Sequence, residues 1–458
     1  MIKTVKVGGR GLFAFKKSSV FKRTYLSEAY KCDEAWNRRF ESPLLNKITP
    51  EAMFIKLKQK LDQVGKIHAV DADIFANTIK APTDADELLL ILQKLRLSSE
   101  ATNILNSTHY AVVRYLLENN HINTLHTVLH NRLEYGIIPD HVSYNILMDH
   151  FINKEDYASA AKVAVLLMLQ EDSDHPISNA LCTYSCHKYL EKPEDWKLEP
   201  EPVKDDPDDE IIKVRVKYIR NPFFDDHFDI KEPKHLVGKT LVFQGKLMKD
   251  TLGRSLQLRG LILYNKYAAA IILIKEWLSK DTKELVYEEI FNLIENDNSH
   301  ISGEQDTDEF KMLKNQLIEL KKTNLYKGNL TKDLEDKIKL VVSEFAEKDI
   351  AAQYQAFDAW EKKRTICLEE QYRAIEKEER LAKLQEMKQE LEEREKILTF
   401  FENEEKIELQ IEKKLEEERK FDEKVAKKMK KRPELRQTEE YIPPEVGRYH
   451  VNQEDEYR

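Results

Sequence analysis

Two helical runs of apolar residues flank a polar hinge in YGIIPDHVSYNILMDHFINKEDYASAAKVAVLLMLQE, Tyr135 to Glu171. In the first run Tyr144, Leu147, Phe151 and Ile152 stand at i, i+3, i+7 and i+8, so they share the inner face of one helix. A turn at Gly136, Pro139 and Asp140 precedes it, the hinge covers Asn153 to Asp156, and a second apolar helix follows. Helix, turn and antiparallel helix, restarting after about thirty-five residues, form a unit that cannot bury its apolar face alone. It implies stacked neighbours.

The neighbours are visible but worn. One step upstream, Tyr110, Val113 and Leu117 fall where Tyr144, Leu147 and Phe151 stand, and Ala111 replaces Asn145. Further back, DADIFANTIK (Asp71 to Lys80) and DADELLLILQKLRL (Asp84 to Leu97) predict a helix pair joined around Pro82, with Asp84 as N-cap of the second helix. Downstream the pattern restarts at Pro176 with ISNALCTYSCHKYL.

The unit resembles a pentatricopeptide repeat. The family phrase Val-Thr-Tyr-Asn appears as Val142, Ser143, Tyr144 and Asn145. Leu147, Asp149 and Ala160 follow in place, and Gly136, Ile137, Pro139 and Asp140 close the unit before. An ordinary helical hairpin in an all-α protein is the alternative. The resemblance implies an all-α fold, an α-solenoid of degenerate pentatricopeptide-type hairpins, here followed by a long charged C-terminal helix.

That helix is expected from composition. Between Asn329 and Arg432 there is no Gly or Pro. Ile350, Tyr354, Phe357 and Trp360 still form an apolar stripe, after which charge takes over. Glu376/Arg380, Glu379/Lys383, Glu392/Lys396, Glu402/Lys406, Glu416/Lys420 and Glu423/Lys427 are i, i+4 pairs with the acid first, each worth about 0.2–0.5 kcal/mol. Continuous from Asp349 to Arg432, the helix would reach about 125 Å. Leu384, Met387, Leu391, Leu398 and Phe401 keep coiled-coil spacing, but Arg394 intrudes and after Phe401 the register lands on Glu405, Glu408 and Glu412. A projecting helix that docks on something large is favoured over a homodimeric rod. Its end, Lys424, Lys427, Lys428, Lys430, Lys431 and Arg432, offers phosphate contact or simply complements the helix dipole.

Between these parts, EPEPVKDDPDDE (Glu199 to Glu210) breaks helix, and IIKVRVKYI alternates with strand period but lacks a partner. Gly238, Gly245, Gly253 and Gly260 recur every seven or eight residues and suit close helix–helix approach. GKT at Gly238 to Thr240 lacks the GxxxxG frame of a phosphate loop.

Charged residues make up 34% of the 458 residues and formal net charge is −9, which excludes a uniformly basic nucleic-acid binder and leaves local patches. Four cysteines give no disulfide framework, so a reducing compartment is the default. Residues before Glu28 carry seven Lys or Arg and no acid, as a mitochondrial transit peptide does; a basic RNA-touching tail is the rival reading. His126 and His130 have no third metal ligand. Cys182 and Cys186 read as small core residues rather than a zinc knuckle. No catalytic, metal or cofactor constellation is expected.

The expected organisation is a transit peptide at 1–23, the solenoid at 24–198, an acidic linker or insert at 199–233 and further helical hairpins at 234–296. A flexible linker at 297–308, a helical region ending in the charged helix at 309–432 and an extended or disordered tail at 433–458 complete it. Together the parts resemble the pentatricopeptide-repeat protein family of the animal mitochondrial small ribosomal subunit. Weaker echoes lie at RTYLSEAYKCDEAWNR (Arg23 to Arg38) and AEKDIAAQYQAFDAW (Ala346 to Trp360). The resemblance implies a non-catalytic matrix protein, associated with small-subunit ribosomal RNA and neighbouring ribosomal proteins, that supports translation without membrane insertion or a small-molecule substrate.

In base-reading members of the repeat family, the fifth and last residues of each repeat read one base. Asn145 and Asp140 match those positions, but Ala111 cannot hydrogen-bond a base edge. Contact mainly to phosphate and by shape is therefore expected. The rival functions are a stand-alone mitochondrial RNA-processing or stability factor and a coiled-coil adaptor without RNA binding.

Overall fold

The structure, a computed structural model, describes residues 24–193, 196, 230–279, 284–299 and 308–430. The transit-peptide segment, the acidic run, IIKVRVKYI, Lys431, Arg432 and the C-terminal tail lie outside the described residues. The chain is all-α, and no strand occurs among the described residues.

The helices are α1 (Asp33–Asn37), α2 (Pro50–Val64), α3 (Ala69–Thr78), α4 (Ala85–Arg96), α5 (Asn106–Glu118), α6 (Ile122–His130), α7 (Arg132–Tyr135), α8 (His141–Asn153), α9 (Tyr157–Leu169) and α10 (Pro176–Glu191). They continue with α11 (Pro233–Leu247), α12 (Thr251–Leu263), α13 (Tyr267–Ser279), α14 (Glu289–Ser299), α15 (Asp308–Lys321) and α16 (Leu330–Lys430). The chain divides into two units at Leu368/Glu369.

In the first unit α3, α5, α8 and α10 pack side by side in one row, and α6, α9 and α11 form a second row against them. This is the layered order of a helical solenoid, and Tyr144, Leu147, Phe151 and Ile152 are all buried in it. Tyr110 and Tyr144 are each 1% exposed, at equivalent places in successive hairpins. A second core, around Leu258, Ile274, Ile290, Phe310 and Leu313, lies among α12 to α15.

One turn recurs. Between α5 and α6, Asn120 sits at φ 58°, its N–H bonds the Leu117 carbonyl, and the His121 N–H bonds the Leu116 carbonyl. Glu155 and Asp156 repeat this between α8 and α9, as do Asn265 and Lys266 between α12 and α13. A left-handed residue followed by two such bonds satisfies the carbonyls orphaned at a helix end. The hairpin α12/α13 thus carries the same turn as α5/α6 and α8/α9, and Glu171 with Asp172 forms it once more between α9 and α10.

Start signals recur as well. Asp140, Asp156 and Asp250 accept from the backbone N–H three residues on, at Ser143, Ser159 and Gly253, and His175 does so from Ser178. Asp84 departs from the expectation. It lies in a 3-10 turn at φ −84°, ψ 4°, not in the extended conformation of a cap, and its side chain bonds no helix N–H.

The four glycines act by close approach. A Cβ on Gly238 would lie 2.9 Å from the Gly260 carbonyl oxygen, and one on Gly245 2.8 Å from that of Gly253. Helices α11 and α12 therefore meet backbone to backbone. Gly136 acts differently: at φ +68° it ends α7, where any side chain would be strained.

Helix α16 begins at Leu330, well before the apolar stripe, and runs unbroken for 101 residues. In the second unit its described side chains from Glu369 onward are mostly exposed. Of the expected i, i+4 pairs, Glu376–Arg380 and Glu416–Lys420 close at 3.1 Å. Leu384, Met387, Leu391 and Leu398 are each more than half exposed.

Candidate nucleic-acid interface

Asn145, the candidate base reader of the sequence, stands on α8 in the row α3, α5, α8, α10, so the open side of that row is the candidate interface. Here that face is already occupied. The first part of α16, Leu330 to Leu368, runs back across the row from α10 to α3, about 50 Å between Thr331 and Arg364 at 1.5 Å per residue.

Side-chain contacts fix it at α10, α5 and α3, and at Tyr30, which lies between it and α8. At α10, His187 bonds Thr331 at 2.9 Å. At the start of α10, His175 meets Asp349 at 3.1 Å, and Asp349 also accepts from the Tyr30 hydroxyl at 2.8 Å. At α5, Tyr110 lies in a ring cluster with Trp36, Phe357 and Trp360, centroids 4.8–5.7 Å apart. At α3, Arg364 donates to Asp73 at 2.6 Å. The two weak echoes of the sequence, around Tyr30 and around Phe357, thus touch each other.

Asn145 lies beneath this layer, fully buried. Its amide nitrogen donates to the Tyr30 hydroxyl and its amide oxygen accepts from Ser178, both at 2.8 Å. A base edge cannot reach it, because both amide groups already serve the protein interior. Asp140 likewise caps α8, accepting from Ser143 at 2.9 Å, and burial raises its carboxyl pKa. The candidate base readers of the sequence are therefore structural in this fold. A covered helix row, not a worn code alone, is the physical reason.

The other signature residues are also internal. Asp149 accepts from the backbone N–H groups of Tyr25 and Leu26 and from Asn153, pinning the entering chain on α8. Burial raises its pKa too. Leu147, Ala160 and Pro139 are buried.

Of the terminal basic cluster, Lys424, Lys427 and Lys428 are exposed on α16, and Lys430 is its last residue. They share one helix end in the second unit. Among the described residues no group of three or more potential metal ligands occurs. His126 instead stacks on Phe151, with ring centroids 5.5 Å apart. Cys182 and Cys186 are buried thiols.

Sequence reading missed the polar clamp residues Asp73, Tyr30, Ser178 and Arg364. Asp73 gave a signal: a carboxylate inside the apolar helix Ala69–Thr78 needs a buried partner. Nothing local identified the partner, 291 residues away.

Among families of known proteins, the model described as mitochondrial 28S ribosomal protein S27 matches residues 3–390. The match takes in the whole hairpin stack and the part of α16 that crosses it, and stops before Lys424.

Proposed function

Because the chain belongs to the mitochondrial 28S ribosomal protein S27 family, we propose that it is a structural, RNA-associated component of the mitochondrial small ribosomal subunit. It supports translation in the matrix and has no catalytic role of its own. Its partners are small-subunit ribosomal RNA and neighbouring ribosomal proteins. The observation that carries this reading, beside the family, is the covered helix row. A base-reading factor needs an open row of polar side chains, whereas a row braced by its own helix suits a rigid spacer. RNA contact then falls to basic residues at the end of the chain's long helix and just beyond, Lys424, Lys427, Lys428, Lys430, Lys431 and Arg432, and is made to phosphate. Among the described residues no helix is long and apolar enough to cross a membrane.

Sedimentation of the tagged chain in mitochondrial lysate tests the proposal. Migration with the small subunit that survives moderate salt is the expected result. Light fractions would mark a stand-alone processing factor, and RNase-insensitive protein complexes an adaptor. Charge reversal at Lys424, Lys427 and Lys428 is expected to weaken incorporation, most strongly at low salt, while helicity by far-UV circular dichroism stays unchanged.

A further inference from the structure

The backbone contact between α11 and α12 has an outward consequence. With glycines on the shared face, α11 places Lys239, Phe243 and Lys246 at i, i+4 and i+7 along one stripe beside it. The C-cap of α12 is Tyr264, and the recurring turn that follows puts Lys266 directly after the left-handed Asn265. In the turns after α5, α8 and α9 that position holds His121, Asp156 and Asp172, so this turn alone of the four carries a permanent cation. The end of α9, at Met168 and Glu171, closes the opposite side.

These residues line a cleft of about 340 Å³, in which Glu171 is the one acid. The Lys239 and Lys266 ammonium groups stand 5.5 and 5.1 Å from the centroid of the Tyr264 ring, and the Lys246 side chain is exposed at the rim. In a chain of net charge −9, three lysines in one cleft are a local reversal of sign.

We propose that this cleft binds an unpaired segment of RNA, with a base against Phe243 and Tyr264 and the flanking phosphates on Lys239, Lys246 and Lys266. The reading rests on the RNA association proposed above and gives it a place inside the family-matched residues, separate from the basic end of α16. Amines beside aromatic faces are what single strands require: the amines follow the backbone and the rings accept any base. A duplex offers no free base to the rings. An acidic peptide would use the amines but leave Phe243 and Tyr264 without a role.

The test uses the full chain and a short fluorescent single-stranded RNA, read by anisotropy across a salt series. Each lysine lost from a phosphate contact removes roughly 0.7 from the slope of log affinity against log salt. The triple variant Lys239→Gln, Lys246→Gln, Lys266→Gln is expected to flatten the slope by about 2. Tyr264→Leu is expected to weaken binding at least about 5-fold with the slope unchanged, since only stacking is lost. Matching duplex RNA is expected to bind more weakly than the single strand. Unchanged affinity and slope in the triple variant, with wild-type helicity, would overturn the proposal. So would equal binding of duplex, or displacement of the RNA by polyglutamate with no effect of Tyr264→Leu. Co-sedimentation with the small subunit is scored separately. A chain that co-sediments while the triple variant binds RNA normally loses only the cleft, and one that stays in light fractions yet binds through the cleft loses only the ribosomal role.

Discussion

Arg364 reaches Asp73 across 291 residues of chain, and both side chains are out of water at a 2.6 Å contact. Ser107 and Thr108 donate to the other oxygen of the same carboxylate. The carboxylate is therefore satisfied from two other helices at once, α5 and α16, and the helix that supplies Arg364 is locked to the first hairpins. Arg364→Met removes the cation and leaves a buried anion, which costs about 3–5 kcal/mol. Urea denaturation is expected to show that loss as a lower midpoint. A change below about 1 kcal/mol would mean that this contact does not hold α16 to the first hairpins.

Asn145 gives a second expectation, one that separates scaffold from reader. Asn145→Ala leaves Tyr30 and Ser178 each short of a partner and is expected to cost about 1–3 kcal/mol. The preference of the chain among RNA sequences is expected to stay the same. Altered preference at unchanged stability would return Asn145 to the base-reading role.

Close approach at the glycines is tested at Gly260. A Cβ there would stand 2.5 Å from the Gly238 carbonyl oxygen and 2.8 Å from the Val242 nitrogen, and backbone atoms cannot rotate aside. Alanine is the better helix former by about 1 kcal/mol, yet overpacking of roughly 1–3 kcal/mol or more is expected to win. Gly260→Ala should lower the thermal midpoint. A raised midpoint would show that the two helices separate freely.

How much of this was legible in advance follows from the range of each signal. The hairpins around Tyr144 and Tyr110 were readable because their periodicity and turns are local, and so were the glycines of α11 and α12. The recurring turn could have been read from Asn120, Glu155 and Asn265, but residues that accept the left-handed region vary too much in type to stand out. The clamp was invisible because its partners meet only after the fold forms. A buried Asn looks in sequence like an exposed reader. The same limit hid the destination of Ile350, Phe357 and Trp360: an apolar stripe says that something covers it, not what.

Acid is expected to weaken the stack through histidine. Burial pushes His126 down to about 3 and His130 and His109 down to about 4, with Lys162 adding to the effect at the first two. Neither ring nitrogen of His126 has a hydrogen-bond partner among the described residues. The unfolded chain, with imidazoles near 6.5, takes up protons first as pH falls. Stability is therefore full above about pH 6.5 and is lost progressively on the way down to about pH 3, by several kcal/mol in all. His126→Phe keeps the stack on Phe151 and should shift the acid midpoint of unfolding downward. An unmoved midpoint would place the acid sensitivity elsewhere.

A density map of the mitochondrial small ribosomal subunit containing this chain tests the central claim most directly. The expected map shows Thr331 to Arg364 lying across α10, α8, α5 and α3, with Arg364 against Asp73 and no RNA strand along that row. A strand of RNA seated on the row, with Asn145 turned toward a base and α16 displaced from it, would contradict the account.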